Sequence, residues 1–435
     1  MVSEAGTELH TEQYNWAGNL RYGAAEFREP ATVSELQELV AGATKLRALG
    51  SRHSFNRIAD TSGLLVSLEH LAPAIDVDPD SLTVTVSGGT RYGTLAAELQ
   101  RQGYALHNLA SLPHISVAGA VATATHGSGD RNGNLATAVA GLEIVTADGG
   151  ILTARRGDAD FDGMVVNLGA LGVVSSLTLD IEPTFTVAQT VFENLDWEQV
   201  LANFDDVTSA AYSVSLFTDW SGDRIAQEWL KSRTAADADG EPQGAEFFGG
   251  SPATEPRHPI AGVPGTTCTQ QLGVPGPWSD RLAHFRMEFT PSKGDELQSE
   301  YLVPREHAVD AIRAMRRLSH LVTPLLLVSE IRTMAADSLW LSPNYGTDGI
   351  GLHLTWRQDQ PAVEAVLPVI EAELAPFGAR PHWGKLFDGD ATRLAPLYPR
   401  FADFKALAGR LDPEGKFRNG FLDRAVFLDR AVFDS

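Results

Sequence analysis

Residues 110–129 read Ala110-Ser111-Leu112-Pro113-His114-Ile115-Ser116-Val117-Ala118-Gly119-Ala120-Val121-Ala122-Thr123-Ala124-Thr125-His126-Gly127-Ser128-Gly129. Small and hydroxyl-bearing residues dominate, and no acid, lysine or arginine appears before Asp130. Such a tract packs closely against a large planar ligand while offering it N–H and O–H donors. A tightly packed Ala/Gly-rich core loop is the competing reading. So many hydroxyls inside a core would, however, need polar partners.

Upstream lies a second loop of the same character, Gly50-Ser51-Arg52-His53-Ser54-Phe55-Asn56, directly after the apolar run Leu46-Arg47-Ala48-Leu49. Small residues after a strand leave backbone N–H groups free to approach an anion. A histidine inside such a loop faces whatever the loop cradles. The plainer alternative is an ordinary turn with a solvent-facing imidazole.

Around these loops the first 180 residues read as mixed α+β. Thr32-x-x-Glu35 is a capping-box pattern opening a helix whose Leu36, Leu39 and Val40 share a face. Leu82 to Ser87 alternates as a half-buried strand, and a helix follows from about Thr94 to Gln102, stopped by Gly103. Leu142 to Ala154 reads as a hairpin about Asp148-Gly149, and Val173 to Ile181 as another strand. Beyond Pro183, residues 232–258 read as a long surface loop, and Pro304 as the first residue of a helix to about His320. Strands are expected at Leu325–Arg332 and Gly351–Arg357, and a helix near 362–374 that Pro368 interrupts or bends. The tail repeats L-D-R-A-V-F at 422–427 and 428–433, too short a period for a solenoid.

The chain's 435 residues are enough for two or three domains. Its formal charge of −22 excludes a general polyanion binder and adhesion to an anionic membrane. Cys268, the single cysteine, excludes an intrachain disulfide and thiolate metal clusters. No signal peptide or apolar span is evident, so the expected setting is the cytoplasm, and without heptads a monomer is expected. The sequence has no G-x-G-x-x-G, no phosphate-loop motif, no H-E-x-x-H and no G-x-S-x-G. No metal site is therefore expected, and the common routes to NAD, ATP, zinc and serine chemistry are closed.

Two later strands carry a polar face. Residues two apart on a strand share a side, so Glu330 and Arg332 of V-S-E-I-R project together, as do His353 and Thr355 of L-H-L-T-W. Pairing these strands would gather an acid, a guanidinium, an imidazole and a hydroxyl on one surface. That surface is either an exposed face with an ion pair of little energy or, if covered, a pocket lining. Pro381-His382-Trp383-Gly384-Lys385 adds a lysine beside aromatic bulk.

The His53 loop, the 110–129 tract and the D-P-x-G-x-F-x-N stretch from Asp412 to Asn419 together resemble the vanillyl-alcohol oxidase type of FAD enzymes, and within it the bacterial alditol (xylitol) oxidases. The likeness runs from about Asn15 to Asn419. It implies a two-domain α+β fold, with an FAD-binding domain over residues 1–182 and a substrate (cap) domain with a large antiparallel sheet over 183–376. A segment at 377–435 would return to the FAD domain and active site. It implies FAD joined covalently to His53. Leu49, Gly50, Ser51, Arg52 and Ser54 would wrap the cofactor from the first loop, and Ser116, Gly119, Thr123, Ala124, Thr125 and His126 from the second. Val173 and His382 would complete its surroundings. Related covalent flavoproteins often carry glycine where this chain has Arg52.

The resemblance also carries Ser111, Glu330, Arg332, His353, Thr355 and Lys385 onto polyol-contacting positions. The implied reaction is oxidation of a polyol's terminal hydroxyl, with O2 reduced to hydrogen peroxide and neither nucleic acid nor membrane as partner. On this reading Arg332 and Lys385 stabilise alkoxide character, His353 is the leading proton acceptor, and Glu330 orients Arg332. Ser111 and Thr355 hold the remaining hydroxyls. Small Ala110 leaves oxygen versus dye as electron acceptor open. A sugar-lactone or sugar oxidase or dehydrogenase on the same scaffold is the alternative, followed by a non-catalytic flavin or sugar binder and, last, a sugar-derivative hydrolase.

Overall fold

Thr32 opens the first helix, Val33–Gly42, by accepting from the Glu35 N–H, while the Glu35 carboxylate reaches back to the N–H of Ala31. The apolar stripe then buries Leu36 and Val40. The computed structural model describes residues 14–72, 74–234, 246–289 and 296–428. Three strands from the first 70 residues form a parallel sheet in the order Glu26–Arg28, Leu64–Ser67, Leu46–Leu49. An antiparallel sheet of five follows, in the order Ile75–Asp78, Thr83–Ser87, Val173–Asp180, Val139–Val145, Ile151–Arg155. The helix between these strands runs from Tyr92 to Gln102 and ends on Gly103, whose φ of 86° is the left-handed region glycine enters freely.

A nine-stranded sheet takes its strands from between Thr186 and Pro381. Its central strands run antiparallel in the order Arg224–Thr234, Ser213–Thr218, Leu326–Met334, Gly349–Arg357, Glu296–Pro304. Leu352, Leu354 and Trp356 are buried in one core cluster with Ile312, Met315, Val363 and Ile370 of the helices Ala308–Arg317 and Gln360–Leu374. Each such side chain contributes roughly 1.5–3 kcal/mol relative to exposure. Alternation sends His353 and Thr355 to the other face.

Several expectations are corrected. Pro304 ends a strand rather than starting a helix, and a single turn, Arg305–His307, intervenes before the helix at Ala308. The alternating Glu296-Leu297-Gln298-Ser299-Glu300-Tyr301 pattern outweighs the helix preference of proline at a first position. The supposed loop 232–258 begins inside a strand that reaches Thr234, and Ser251–Pro252 pairs with Phe192 and Glu193. Residues 235–245 lie outside the described residues. The helix through Pro368 is continuous from Gln360 to Leu374. The first copy of the tail repeat forms the short turns Gly420–Leu422 and Asp423–Phe427, and the second lies outside the described residues except for Leu428.

Buried Arg47 ties the chain's ends together. It donates to the carbonyls of Ile58, Leu168, Gly169 and Phe417, joining the first loop to the 412–419 stretch. Asp412 accepts from the Lys416 and Phe417 N–H groups, and Asn419 donates to the Arg57, Ile58 and Asp60 carbonyls. The D-P-x-G-x-F-x-N residues thus act as a clamp beneath the His53 loop. Among the described residues, no helix is long and apolar enough to cross a membrane and no cluster is suited to a metal ion.

Candidate active site

The two glycine-rich loops interlock through their serines. The Ser51 N–H donates to Ser116 Oγ (3.3 Å), and the Ser116 N–H to Ser51 Oγ (3.1 Å). A β-carbon on Gly50 would come within 2.5 Å of Ser116 Oγ, and one on Gly119 within 2.7 Å. Any larger residue would fill this cradle. His53 stacks on Trp16 with ring centroids 4.9 Å apart, and its Nδ1 lies 2.9 Å from the Ser51 carbonyl. Burial pushes its pKa down to about 4, so the ring is neutral at pH 7. Arg52 holds φ 65°, in the left-handed region that glycine enters freely.

One cleft runs from these loops to the polar face of the large sheet. Leu49, Gly50, Ser51, Arg52, His53 and Ser54 line it, as do Ser116, Gly119, Thr123, Thr125, His126 and His382. Ala124 and Val173 do not: both side chains are buried in the core, and their neighbours Thr123, Thr125, Gly172 and Val174 face the cleft instead. Ser111, Glu330, Arg332, His353, Thr355 and Lys385 all line the far end.

Register builds that end. His353 sits between Glu330 on one neighbouring strand and Glu300 on the other. Glu330 and Arg332 are 4% and 8% exposed, so the face is a lining rather than a surface ion pair. Arg332 grips Glu330 through Nε (2.6 Å) and Nη2, and Nη2 also donates to Ser111 Oγ. Lys385 arrives from outside the sheet, held by the first loop: Asn56 donates to the Trp383 and Lys385 carbonyls, and the Phe55 N–H to that of Gly384. Lys385 Nζ then lies 2.6 Å from both Glu300 Oε2 and His353 Nδ1. His353 Nε2 is 3.1 Å from Thr355 Oγ1.

Burial opposes the charge on Glu330, yet Arg332 and His284 outweigh it and hold the carboxyl well below its usual range. Glu300 is likewise kept ionised against burial by Lys385 and His126. Burial lowers Lys385 more than Glu300 raises it. His353 is pushed down to about 4 by burial and then by Lys385, and His382 falls well below its usual value for the same two reasons.

Glu300, His284 and Lys231 escaped the sequence reading. Glu300 is 2% exposed and meets Lys385, His126 (3.1 Å) and His353 (3.7 Å). Its signal was present in the alternation of Glu296, Gln298 and Glu300, which share a strand face. His284 comes from irregular chain and carries no pattern of its own.

Comparison with known proteins settles the family. A profile described as FAD binding domain matches residues 24–155, and one described as D-arabinono-1,4-lactone oxidase matches residues 290–425. An alditol oxidase from a Streptomyces species is 50% identical over 95% of this chain and 99% of its own length. The chain belongs to the alditol oxidase family. It is therefore an FAD-dependent oxidoreductase. More distant is an L-gulono-1,4-lactone dehydrogenase of Mycobacterium tuberculosis, 29% identical over 95% of this chain and 98% of its own. A crystal structure of cholesterol oxidase from B. sterolicum superposes with a TM-score of 0.77 at 16% identity, covering 95% of this chain and 96% of that one. That likeness shows the fold of this alditol oxidase family member, not its substrate. The Gly50–Gly119 cradle, and a cleft that runs from the two loops to the polar face of the sheet, fit FAD.

Proposed function

We propose that this alditol oxidase family member oxidises the terminal hydroxyl of acyclic polyols to the aldose. The observation that carries the reading is the convergence of Ser111, Glu330, Arg332, His353, Thr355 and Lys385 at the end of the flavin-fitting cleft, with Glu330, Arg332, His353 and Thr355 buried. A polyol presents a hydroxyl on every carbon. A site built from fixed donors and acceptors binds it and rejects analogues that leave those groups unpaired. FAD, when bound, accepts two electrons and the carbon-bound hydrogen and passes the electrons to O2, giving hydrogen peroxide.

The protein's own part is the hydroxyl proton and the charge left behind. Neutral His353 takes the proton at Nε2 and gives its Nδ1 proton to Lys385 Nζ, 2.6 Å away. The new ammonium is held by Glu300. Positive charge thus appears on Lys385 as alkoxide character grows on the substrate, and Arg332 supplies a permanent cation. Ser111 and Thr355 fix further hydroxyls. Residues 1–182 with the returning 377–435 form the FAD-binding part on this reading, and 183–376 the substrate part. A monomer in the cytoplasm goes with it.

Since the active form has lost a proton from the Lys385–His353 unit, kcat/KM is expected to rise with pH. Its apparent pKa belongs to the pair and falls below the ~10.4 of an ordinary lysine, because burial lowers Lys385. A flat profile from pH 6 to 10 would remove the relay. Peroxide formation from xylitol, sorbitol or mannitol under air tests the function itself. Turnover confined to sugar lactones, a reading favoured by the 290–425 match, or turnover with a dye but not with O2, would replace it.

The covalent link rests on neutral His53, stacked on Trp16 within the cleft. Acid precipitation of the purified protein should leave the yellow colour in the pellet, and His53→Ala should release it to the supernatant. Colour in the supernatant from the unaltered protein would remove the attachment and leave the FAD.

A further inference from the structure

Lys231 is 1% exposed, and its register places it on the polar face of the large sheet. On its strand Gln227, Trp229 and Lys231 alternate; Trp229 pairs through Ser215 with Arg332, and Gln227 through Phe217 with Glu330. Its Nζ lies 2.6 Å from the Leu282 carbonyl, 2.9 Å from that of Ala283 and 3.1 Å from His284 Nδ1. None of the three is a carboxylate. Burial pushes the Lys231 pKa well below the usual lysine value, yet three acceptors around one nitrogen use all three hydrogens of an ammonium, so the contacts are those of the charged form.

His284 is wedged edge-on against Phe217 and Trp229, with ring centroids 5.7 and 5.1 Å away. Its Nε2 is 2.8 Å from Glu330 Oε1. Glu330, ionised beside Arg332, can only accept, and the Arg332 Nη2 that lies 3.1 Å from the same Nε2 already spends its two hydrogens on Ser111 Oγ and Glu330 Oε2, so the ring proton sits on Nε2. A neutral ring then has a bare Nδ1, which the Lys231 ammonium covers. The same segment also fixes Ser111, since the His284 and Phe285 N–H groups both donate to its carbonyl (3.1 and 3.2 Å).

We propose that Lys231 and His284 are positioning residues for the polyol site: Lys231 fixes the Nε2–H tautomer of His284, and that N–H holds Glu330 so that Arg332 is aimed at the reacting hydroxyl. The inference rests on the polyol-oxidase reading and adds to it a second layer behind the substrate-contacting groups. Neither residue touches the substrate in this scheme. Their effect passes through Glu330 and Arg332.

The test compares Lys231→Met, His284→Leu, His284→Gln and the Lys231→Met/His284→Leu double variant as flavin-loaded enzymes. Misplacing a catalytic group by about 1 Å can cost about 10²-fold. Each of the first two is therefore expected to lower kcat for xylitol about 30-fold, with less than a threefold change in KM. Gln carries an N–H donor near the Nε2 position, so His284→Gln should recover most of the loss. The double variant should be no worse than either single one, because both break the same chain of contacts. Flavin content and thermal midpoint report folding alongside. Should Lys231→Met not fold, the Leu and Gln variants of His284 decide between them. The proposal falls if kcat stays within twofold of the unaltered enzyme in His284→Leu. It falls equally if His284→Gln is as impaired as His284→Leu at equal flavin content, or if the losses multiply in the double variant. An unaltered enzyme inactive on every polyol would overturn the polyol reading itself, a result none of these variants can mimic.

Discussion

Lys385→Met is expected to lower kcat on polyols about 10³-fold while leaving the flavin content of the purified protein unchanged. Methionine keeps the length and bulk of the side chain but removes the final holder of the substrate proton. Acid–base catalysis of this kind contributes roughly 10²–10⁴-fold. The backbone of residue 385 stays clipped to the first loop by Asn56, so the FAD cradle is not disturbed. Glu300 loses its 2.6 Å partner but retains His126 at 3.1 Å. Anaerobic mixing with xylitol, followed by the loss of flavin absorbance, isolates the affected step. A kcat within tenfold of the unaltered enzyme would take Lys385 out of the proton path.

Glu300→Leu is expected to damage both stability and rate. Glu300 is the carboxylate beneath Lys385, and removing one partner of a buried pair typically costs about 3–5 kcal/mol because the other charge is left uncompensated. A midpoint of thermal unfolding lower by several degrees is the expected reading, together with a loss in kcat of about 10²-fold. Glu300→Gln separates the two effects, since it keeps a hydrogen-bond acceptor without the charge. Glu300 raises the Lys385 pKa, so its neutralisation should let that pKa fall and move the rising limb of kcat/KM to lower pH. A limb moved to higher pH, or not moved at all, would separate Glu300 from Lys385 in the reaction.

Much of this site is written locally. Gly50, Ser51, Ser116 and Gly119 declare a cradle because glycine and serine are the residues that let two backbones and a ligand approach closely. The alternation in V-S-E-I-R and L-H-L-T-W puts Glu330 beside Arg332 and His353 beside Thr355, since strand geometry has a period of two. Where local rules competed, the reading failed. Pro304 satisfied the preference for proline at a helix start, but it closes a strand whose polar alternation ran unnoticed through Glu300. The side chains of Ala124 and Val173 turn into the core while those of their neighbours Thr123, Thr125 and Val174 face the cleft, an alternation that only the folded chain displays.

The sequence by itself determined the two interlocking glycine-rich loops, the absence of other nucleotide and metal motifs, and which strand residues share a face. Those features depend on residue size, backbone freedom and a two-residue period, all of which act within a few positions. Only the tertiary structure decided that the polar face is buried, that Glu300 stands beside His353 across 53 residues of chain, and that Lys231 and His284 back Glu330. Strand alternation assigns a side chain to a face but is silent on what covers that face. Covering it removes the water that would have weakened each charge interaction, and so makes the lining of a candidate active site of residues that would otherwise form a surface ion pair.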